Sequence, residues 1–99
     1  MPTMELLLSY DVATETPEGR RRLRHVAKAC EAHGQRVQKS VFECVLSEAD
    51  LEKLKHKLRK IIDMEKDSLR IYRLREPRER YLQVLGKKPA YDIHEALVV

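Results

Sequence analysis

The sequence predicts an α+β fold in which two amphipathic helices cover one face of a β-sheet. Two segments repeat apolar residues with helical spacing, and three others, near residues 4–11, 36–46 and 68–74, have the composition or alternation of strands. The resulting order is strand, helix, one or two strands, helix and strand. That order is typical of a ferredoxin-like βαββαβ sandwich.

Length and composition indicate one folded domain with a modest core. The chain has 99 residues, of which 42% are hydrophobic, and its charged fraction of 36% exceeds the ~25% that is usual in globular domains. The apolar run near the N-terminus is too short for a secretion signal or a membrane span. Cys30 and Cys44 lack the spacing of a zinc site, so we expect reduced, buried thiols in a cytoplasmic protein that has no membrane contact.

The first predicted strand, residues 4–11, has apolar side chains on both faces. Met4, Leu6, Leu8 and Tyr10 alternate on one face, and Leu7 lies on the other. Both faces are therefore expected to be at least partly covered. Helices can cover one face, and a partner subunit is the simplest source of cover for the second.

The first helix is expected to begin at Thr16-Pro17, because Thr is a favoured N-cap and Pro a favoured first helical residue. Gly34 is placed to end this helix. Its buried stripe consists of Leu23, Val26, Ala27 and Cys30.

The second helix follows Ser47, because the segment 47–50 resembles a capping box. The lysines and arginines on its outer faces are interpreted as solvated surface. Its buried stripe consists of Leu51, Leu54, Leu58, Ile61 and Ile62.

The remaining segments are strands or a tail. Arg36 to Leu46 is expected to form one long strand or two collinear strands with a kink near Ser40, since no Gly or Pro marks a turn. Residues 81–85 are expected to form a short extra strand that pairs with a sheet edge of its own chain or of a partner. We therefore divide the chain into a core, residues 1–75, and a C-terminal strand and tail, residues 76–99.

Positive charge is concentrated in one part of the chain. The whole sequence has a formal net charge of +4, whereas residues 18–39 alone contain seven Lys or Arg and two Glu. The rest of the chain therefore has a slight negative balance. A localised basic segment of this kind is typical of proteins that bind a phosphate backbone.

Asp11 is the candidate metal ligand and catalytic residue, because it ends the first strand just before the arginine-rich segment. Magnesium prefers oxygen ligands, usually one or two carboxylates with waters and phosphate. One Asp is too little for a convincing site, but a twofold dimer would supply a second copy. Two Asp11 carboxylates could then hold one Mg²⁺ that activates water. The alternative is that Asp11 caps or orients the following turn.

The arginines that follow are candidates for nucleic-acid binding. Arg20, Arg22 and Arg24 suit paired phosphate oxygens through their guanidinium groups, whereas Arg21 is interpreted as a solvated residue. The chain has one Phe and four Tyr, too few for an array of base-stacking side chains. We therefore expect salt-sensitive backbone binding with little base readout.

Four motifs occur together, in a specific order and spacing. They are SYDV at 9–12, GRRRLRHVAK at 19–28, RVQKSVFEC at 36–44 and DSLRIY at 67–72. Together they resemble the motifs of CRISPR-associated protein 2, the small adaptation protein of CRISPR systems. The resemblance covers roughly residues 4–75, and Lys39 departs from it because an aromatic residue is frequent there in the family.

The resemblance implies a ferredoxin-like homodimer whose two sheets pack face to face. It also implies a magnesium-dependent endonuclease that acts on RNA or on duplex DNA. A second implied role is structural, in which the dimer bridges copies of the CRISPR-associated integrase and binds the DNA spacer precursor during spacer acquisition. A third possibility is a small-ligand regulatory domain on the same generic fold, against which the localised basic segment argues.

The resemblance adds candidate residues around Asp11. Arg36, a further candidate for nucleic-acid binding, and Phe42 match family positions linked to activity, although the alternation of Phe42 with Cys44 fits a core or dimer-interface role at least as well. Tyr10 is similarly ambiguous between the core and the site. Ser9 could orient a water bound to the metal.

Overall fold

The computed structural model describes residues 2–76 and 78–86 and confirms the α+β class. The elements follow one another along the chain as strand, helix, strand, strand, helix and strand. They are β1 (Thr3–Asp11), α1 (Pro17–Glu31), β2 (Gly34–Gln38), β3 (Val41–Ser47), α2 (Glu48–Ile61) and β4 (Ser68–Leu74). A short 3₁₀ turn, Arg78–Arg80, follows β4.

The four strands form one antiparallel sheet in the order β2-β3-β1-β4. Because β1 lies between β3 and β4, its C-terminal end is flanked by the first residues of both neighbours. Ser9 is opposite Val41 on β3, and Asp11 is opposite Ser68 on β4. This end of the sheet therefore brings the end of β1 close to the α2–β4 connection.

The helices cover one face of the sheet, and the hydrophobic core lies between them. The predicted alternation along β1 is confirmed, because Met4, Leu6, Leu8 and Tyr10 are all buried on this face. Burying one large aliphatic side chain stabilises the fold by roughly 1.5–3 kcal/mol. The side chains from the other elements that complete the core include Val26, Cys30, Phe42, Cys44, Leu54 and Leu58.

The opposite face, called here the open face, carries Glu5, Leu7, Ser9 and Asp11 of β1. Leu7, Val41 and Val45 keep intermediate exposure on this face. On the neighbouring edge strand, Tyr72 lies opposite Leu7 and is 44% exposed. The open face therefore retains partly exposed apolar side chains, in line with the expectation that one chain covers it incompletely.

Both predicted helix starts are confirmed by capping hydrogen bonds. Thr16 Oγ1 accepts a hydrogen bond from the backbone N–H of Gly19 at 3.0 Å, and Ser47 Oγ accepts one from Asp50 at 3.2 Å. Such caps satisfy backbone donors that have no partner within the helix. Within the described part of the chain, no helix has both the length and the apolar character needed to cross a membrane.

The expectation of collinear strands between Arg36 and Leu46 is wrong, because β2 and β3 fold back on each other as an antiparallel hairpin. Lys39 and Ser40 form the turn, and the register shifts between Arg36 and Gln38. Besides the pairing of Gln38 with Val41 that closes it, the turn is held by β1. Tyr10 donates its backbone N–H to Ser40 O at 3.1 Å and its hydroxyl to Lys39 O at 3.3 Å.

Gly34 does not end α1, contrary to the sequence expectation. The helix ends at Glu31, and Gly34 is the first residue of β2, with a backbone that any residue could adopt. A Cβ atom at this position would collide with Cys44 Sγ and with the backbone oxygen of Glu43. Glycine is therefore required for the close approach of β2 to β3 rather than for a helix cap.

Within this chain, residues 81–85 do not form the expected extra strand, and pairing with a sheet edge of a partner stays a prediction. These residues have no regular hydrogen-bonded structure, and Leu82, Val84 and Leu85 are exposed. A strand requires a neighbour along a sheet edge to satisfy its backbone groups, and this segment pairs with none of the four described strands. Residues 87–99, the remainder of the expected tail, lie outside the described part of the chain.

We predict that Gly34→Ala lowers the free energy of unfolding by about 1–3 kcal/mol, the usual effect of overpacking a close contact. Urea unfolding followed by circular dichroism measures this change. In a Cys44→Ala background the loss should be smaller, because one of the two colliding groups is removed. An unchanged unfolding free energy for Gly34→Ala would contradict the close-approach role.

Candidate metal and phosphate site

Asp11, the predicted metal ligand, is exposed at the last position of β1. Strand alternation places it on the open face, together with Ser9 two residues earlier. Arg70 on β4 lies opposite Ser9 and therefore belongs to the same face. The end of the open face thus combines a carboxylate, a hydroxyl and a guanidinium group.

One chain supplies the right donor type for magnesium but too few donors. The Asp11 carboxylate and the Ser9 hydroxyl are hard oxygen donors of the kind that Mg²⁺ takes. Across the described residues, however, no group of three or more His, Cys, Asp or Glu side chains is placed to hold a metal. A complete site would need donors from a second chain, from water or from a substrate phosphate.

Asp67 is the most tightly held polar group near this site, and its side chain is fully buried. Its Oδ1 accepts a hydrogen bond from the backbone N–H of Ala13 at 3.0 Å, and its Oδ2 accepts one from Asp63 at 2.8 Å. The Arg22 guanidinium donates to the same two oxygens, from Nε at 2.8 Å and from Nη2 at 3.3 Å. One carboxylate therefore joins the β1–α1 loop, α1 and the α2–β4 connection.

These contacts keep Asp67 ionised. Burial alone would raise the pKa of Asp67, but the hydrogen bonds from Arg22, Asp63 and Ala13 and the positive charge of Arg22 outweigh burial and lower that pKa. The hydrogen bond to Asp67 in turn raises the pKa of Arg22. The two groups therefore remain a charged pair at neutral pH.

The predicted arginine cluster divides into two groups. Arg22 is directed to Asp67 and its side chain is only 18% exposed, so its guanidinium is engaged inside the protein. Arg20 and Arg24 are exposed on α1, as is Arg21. Arg20 Nη1 also donates to the backbone oxygen of Thr14 at 3.2 Å, which ties Arg20 to the loop that follows Asp11. The solvent-facing cations of this cluster are therefore Arg20, Arg21 and Arg24.

Tyr10, Phe42 and Arg36 do not join Asp11, because they lie on the helix-covered side of the sheet or at its edge. The rings of Tyr10 and Phe42 stack with centroids 6.2 Å apart, and the Arg36 guanidinium lies 5.3 Å from the centre of the Phe42 ring. Arg36 also pairs with Glu31 at 3.2 Å. Burial raises the pKa of the Tyr10 hydroxyl. Tyr10 and Phe42 are therefore part of the hydrophobic core, which was one of the two roles considered for each of them.

The two cysteines are free and buried, as expected from the sequence. Burial raises the pKa of Cys30 to about 11 and that of Cys44 to about 12. The thiolate is the reactive form of cysteine. These thiols therefore act as small apolar side chains in the core.

Sequence reasoning missed the place of Asp67 and of Arg70. Asp67 directly precedes β4, and its partner Arg22 is 45 residues away along the chain, so no local pattern reveals the pair. Arg70 had a visible signal, because it alternates with Leu69 and Ile71, which pack against the core. Such alternation places Arg70 on the open face. Its Nη1 donates to the Tyr72 hydroxyl at 3.1 Å.

We predict that Asp67→Asn lowers the free energy of unfolding by about 1–3 kcal/mol at about pH 7, because buried donors lose a charged acceptor. The folded-state pKa of Asp67 is depressed, so its stabilising contribution is present above the unfolded-state pKa of about 3.9 and is lost as pH falls through the folded-state pKa. The difference between wild type and variant should therefore shrink below about pH 4. Chemical unfolding across this pH range measures it.

The matched control is Glu52→Gln, which removes an exposed ion pair with Lys55 whose atoms are 3.0 Å apart. Exposed pairs contribute little, so this variant should stay within about 0.5 kcal/mol of wild type. A difference between Asp67→Asn and wild type that is the same at all pH values would contradict the assigned pKa depression.

Comparison with known proteins places these features in a family. Residues 4–81 match the family model described as CRISPR associated protein Cas2. A Moorella thermoacetica protein named CRISPR-associated endoribonuclease Cas2 1 is 54% identical over 97% of this chain and 100% of its own length. A Halalkalibacterium halodurans protein named CRISPR-associated endonuclease Cas2 is 48% identical over 96% of this chain and 99% of its own length.

Solved structures show the same fold. Streptococcus pyogenes Cas2, in a crystal structure at pH 6.5, superimposes with a TM-score of 0.77 and 53% identity, over 84% of this chain and 100% of that chain. A hypothetical protein from Thermus thermophilus superimposes with a TM-score of 0.74 and 33% identity, over 88% of this chain and 95% of that chain. The similarity therefore extends over nearly all of the described sheet and helices.

Proposed function

This chain belongs to the CRISPR-associated protein Cas2 family, and on that premise we propose that it is a magnesium-dependent endonuclease that acts in spacer acquisition. Its substrate would be single-stranded RNA or duplex DNA. The observation that carries the proposal is the exposed Asp11 at the end of β1, on the same sheet face as Ser9 and Arg70. The nuclease names of its close relatives support the reaction class.

The active unit would be a ferredoxin-like homodimer in which two open faces pack together. The partly exposed Leu7, Val41 and Val45 supply apolar area for such packing, and Tyr72 adds to it from β4. In a twofold dimer the same face is used by both subunits, so every residue on it appears twice. Two Asp11 carboxylates would then meet if β1 ends near the axis.

In this arrangement both copies of Asp11 would hold Mg²⁺, and Ser9 would orient a water molecule beside it. When bound, Mg²⁺ supplies an activated water and offsets negative charge on the phosphate under attack. Arg20 and Arg24 bind phosphate oxygens along the backbone and fix the phosphodiester near Asp11. Arg70 adds a positive charge on the face that carries Asp11. Arg22 contributes indirectly, through Asp67.

A second function is favoured by the charge distribution, which does not depend on Asp11. Exposed Arg20, Arg21 and Arg24 lie on one helix, in the segment that holds the whole positive excess of the chain. Such a surface would bind the DNA spacer precursor as a scaffold alongside the CRISPR-associated integrase subunit. The catalytic and scaffold functions can coexist in one protein.

We predict that Asp11→Asn lowers the rate of magnesium-dependent cleavage at least about 100-fold, because a metal ligand worth several kcal/mol of transition-state stabilisation is removed. Cleavage of labelled single-stranded RNA and duplex DNA by purified protein, with Mg²⁺ or with EDTA, measures this effect. Binding of either nucleic acid by the variant should stay close to wild type.

The control is Asp50→Asn, which neutralises an exposed carboxylate in the first turn of α2, at the opposite end of the sheet. This variant should cleave as wild type does. If Asp11→Asn cleaves at the wild-type rate, Asp11 has no catalytic role and the shared-metal mechanism fails.

We also predict that Arg20→Gln and Arg24→Gln together weaken nucleic-acid binding in a salt-dependent manner. Each lost phosphate contact should reduce the slope of log affinity against log salt concentration by about 0.9 for duplex DNA. Fluorescence anisotropy titrations at several salt concentrations measure the slope.

Lys53→Gln, on the exposed surface of α2, is the matched control for loss of a positive charge. Its salt slope should equal that of the wild type. A double arginine variant that keeps the wild-type slope would exclude Arg20 and Arg24 as phosphate contacts. Spacer acquisition that survives Asp11→Asn but fails in the double arginine variant would identify the scaffold as the role that matters in the cell.

A further inference from the structure

The loop between β1 and α1, residues 12–16, connects the candidate metal ligand to the helix that carries the phosphate-binding arginines. Asp67 holds this loop through the backbone N–H of Ala13, two residues beyond Asp11. The residue after Asp67, Ser68, is paired with Asp11 in the sheet. Asp67 is therefore fixed relative to Asp11 along two routes, the strand ladder and the loop.

The loop is also held from the side of α1. Gly19 allows the first turn of the helix to approach Ala13 so closely that a Cβ atom there would collide with the Ala13 oxygen. Thr16 caps the same turn, and Arg20 donates to Thr14 O at 3.2 Å. A loop with this many fixed points has little freedom to change the separation between its two ends.

We infer that Asp67 and Arg22 form a positioning pair that sets the place of Asp11 relative to Arg20. The pair touches neither metal nor substrate in this scheme, and it acts by holding the loop that joins the two sites. Arg22 is thereby assigned to the protein interior rather than to the phosphate backbone, which separates its role from those of Arg20 and Arg24. The inference rests on the proposed function, because Asp11 must be a metal ligand for its placement to affect metal binding.

The four hydrogen bonds of Asp67 explain how one residue can hold the β1–α1 loop in place. Two come from Arg22 on α1, one from the loop and one from Asp63 in the α2–β4 connection, so three separate segments converge on two oxygen atoms. Residues that orient a metal ligand without contacting the metal are also important for binding. Their mutation typically lowers metal affinity or activity 10–100-fold. A displacement of a catalytic group by about 1 Å can lower the rate by about 100-fold.

The test compares Asp67→Asn and Arg22→Gln with Leu58→Val, in the full chain. Leu58→Val shortens a buried core side chain on α2 and lowers stability without changing any contact of the loop. Two readouts are taken for each variant, the Mg²⁺ concentration that gives half-maximal cleavage and the hydrogen–deuterium exchange of a peptide spanning residues 12–16. Each variant is measured well below its melting temperature. Under that condition a general loss of stability should not change Mg²⁺ half-saturation or exchange in residues 12–16.

Asp67→Asn should raise the half-saturating Mg²⁺ concentration about tenfold or more and speed exchange in residues 12–16. Arg22→Gln should have a smaller effect in the same direction, because Asp67 keeps its two backbone donors. Arg22→Gln alone decides the question if Asp67→Asn does not fold. Leu58→Val should match wild type in both readouts.

Wild-type half-saturation together with wild-type exchange in the two pair variants would overturn the inference. A shift of the same size in Leu58→Val would also overturn it, since general destabilisation would then explain the result. If the wild-type protein shows no metal-dependent cleavage, the proposed function fails, and the exchange measurement alone decides whether Asp67 and Arg22 hold the loop. Unchanged exchange in that case overturns the pair as well.

Discussion

The buried carboxylate of Asp67 organises the end of the sheet at which the candidate site lies. Its hydrogen bonds to Ala13, Asp63 and Arg22 join a loop, a connection and a helix that are far apart in sequence. A buried charge is tolerated when it is paired and hydrogen-bonded on all sides, and Asp67 meets that condition. If one partner were removed, the buried donor or acceptor that remains would lack a hydrogen bond, which lowers stability. Asp67 therefore ties the loop after Asp11 to α1 and to the α2–β4 connection.

Because side chains alternate along β1, the residues that form the core and the residues of the candidate site lie on opposite faces of the sheet. Leu8 and Tyr10 point to the helices and form core with Phe42, whereas Ser9 and Asp11 point to the open face. A shift of one residue in register would exchange the two sets, so the burial of the core side chains also fixes which face carries the carboxylate. This coupling explains how a chain with a modest core can hold a polar site at the end of its central strand.

Local patterns were sufficient to predict most elements, and contacts between residues distant in the sequence account for the missed β2–β3 turn and the missed pairing of Arg22. The starts of both helices followed from Thr16-Pro17 and Ser47, because caps are determined by neighbouring residues. The β2–β3 turn was missed because Tyr10 holds it from 29 residues away along the chain. The internal role of Arg22 was missed for the same reason, since an arginine paired with a distant Asp67 looks like any other arginine in the sequence. The placement of Asp11 at a strand end was predictable, but its surroundings were not.

The proposed shared metal site requires two open faces to pack so that both Asp11 carboxylates approach the twofold axis. Leu7, Val41 and Val45 give this face the apolar area, and the exposed Asp11 gives it the metal-binding group. The most direct test is a crystal structure of the protein grown with Mg²⁺ or Mn²⁺. We expect a dimer in which one metal ion contacts Asp11 of both subunits. A dimer that keeps the two carboxylates too far apart to share a metal would contradict it, and only the DNA-binding scaffold would then remain.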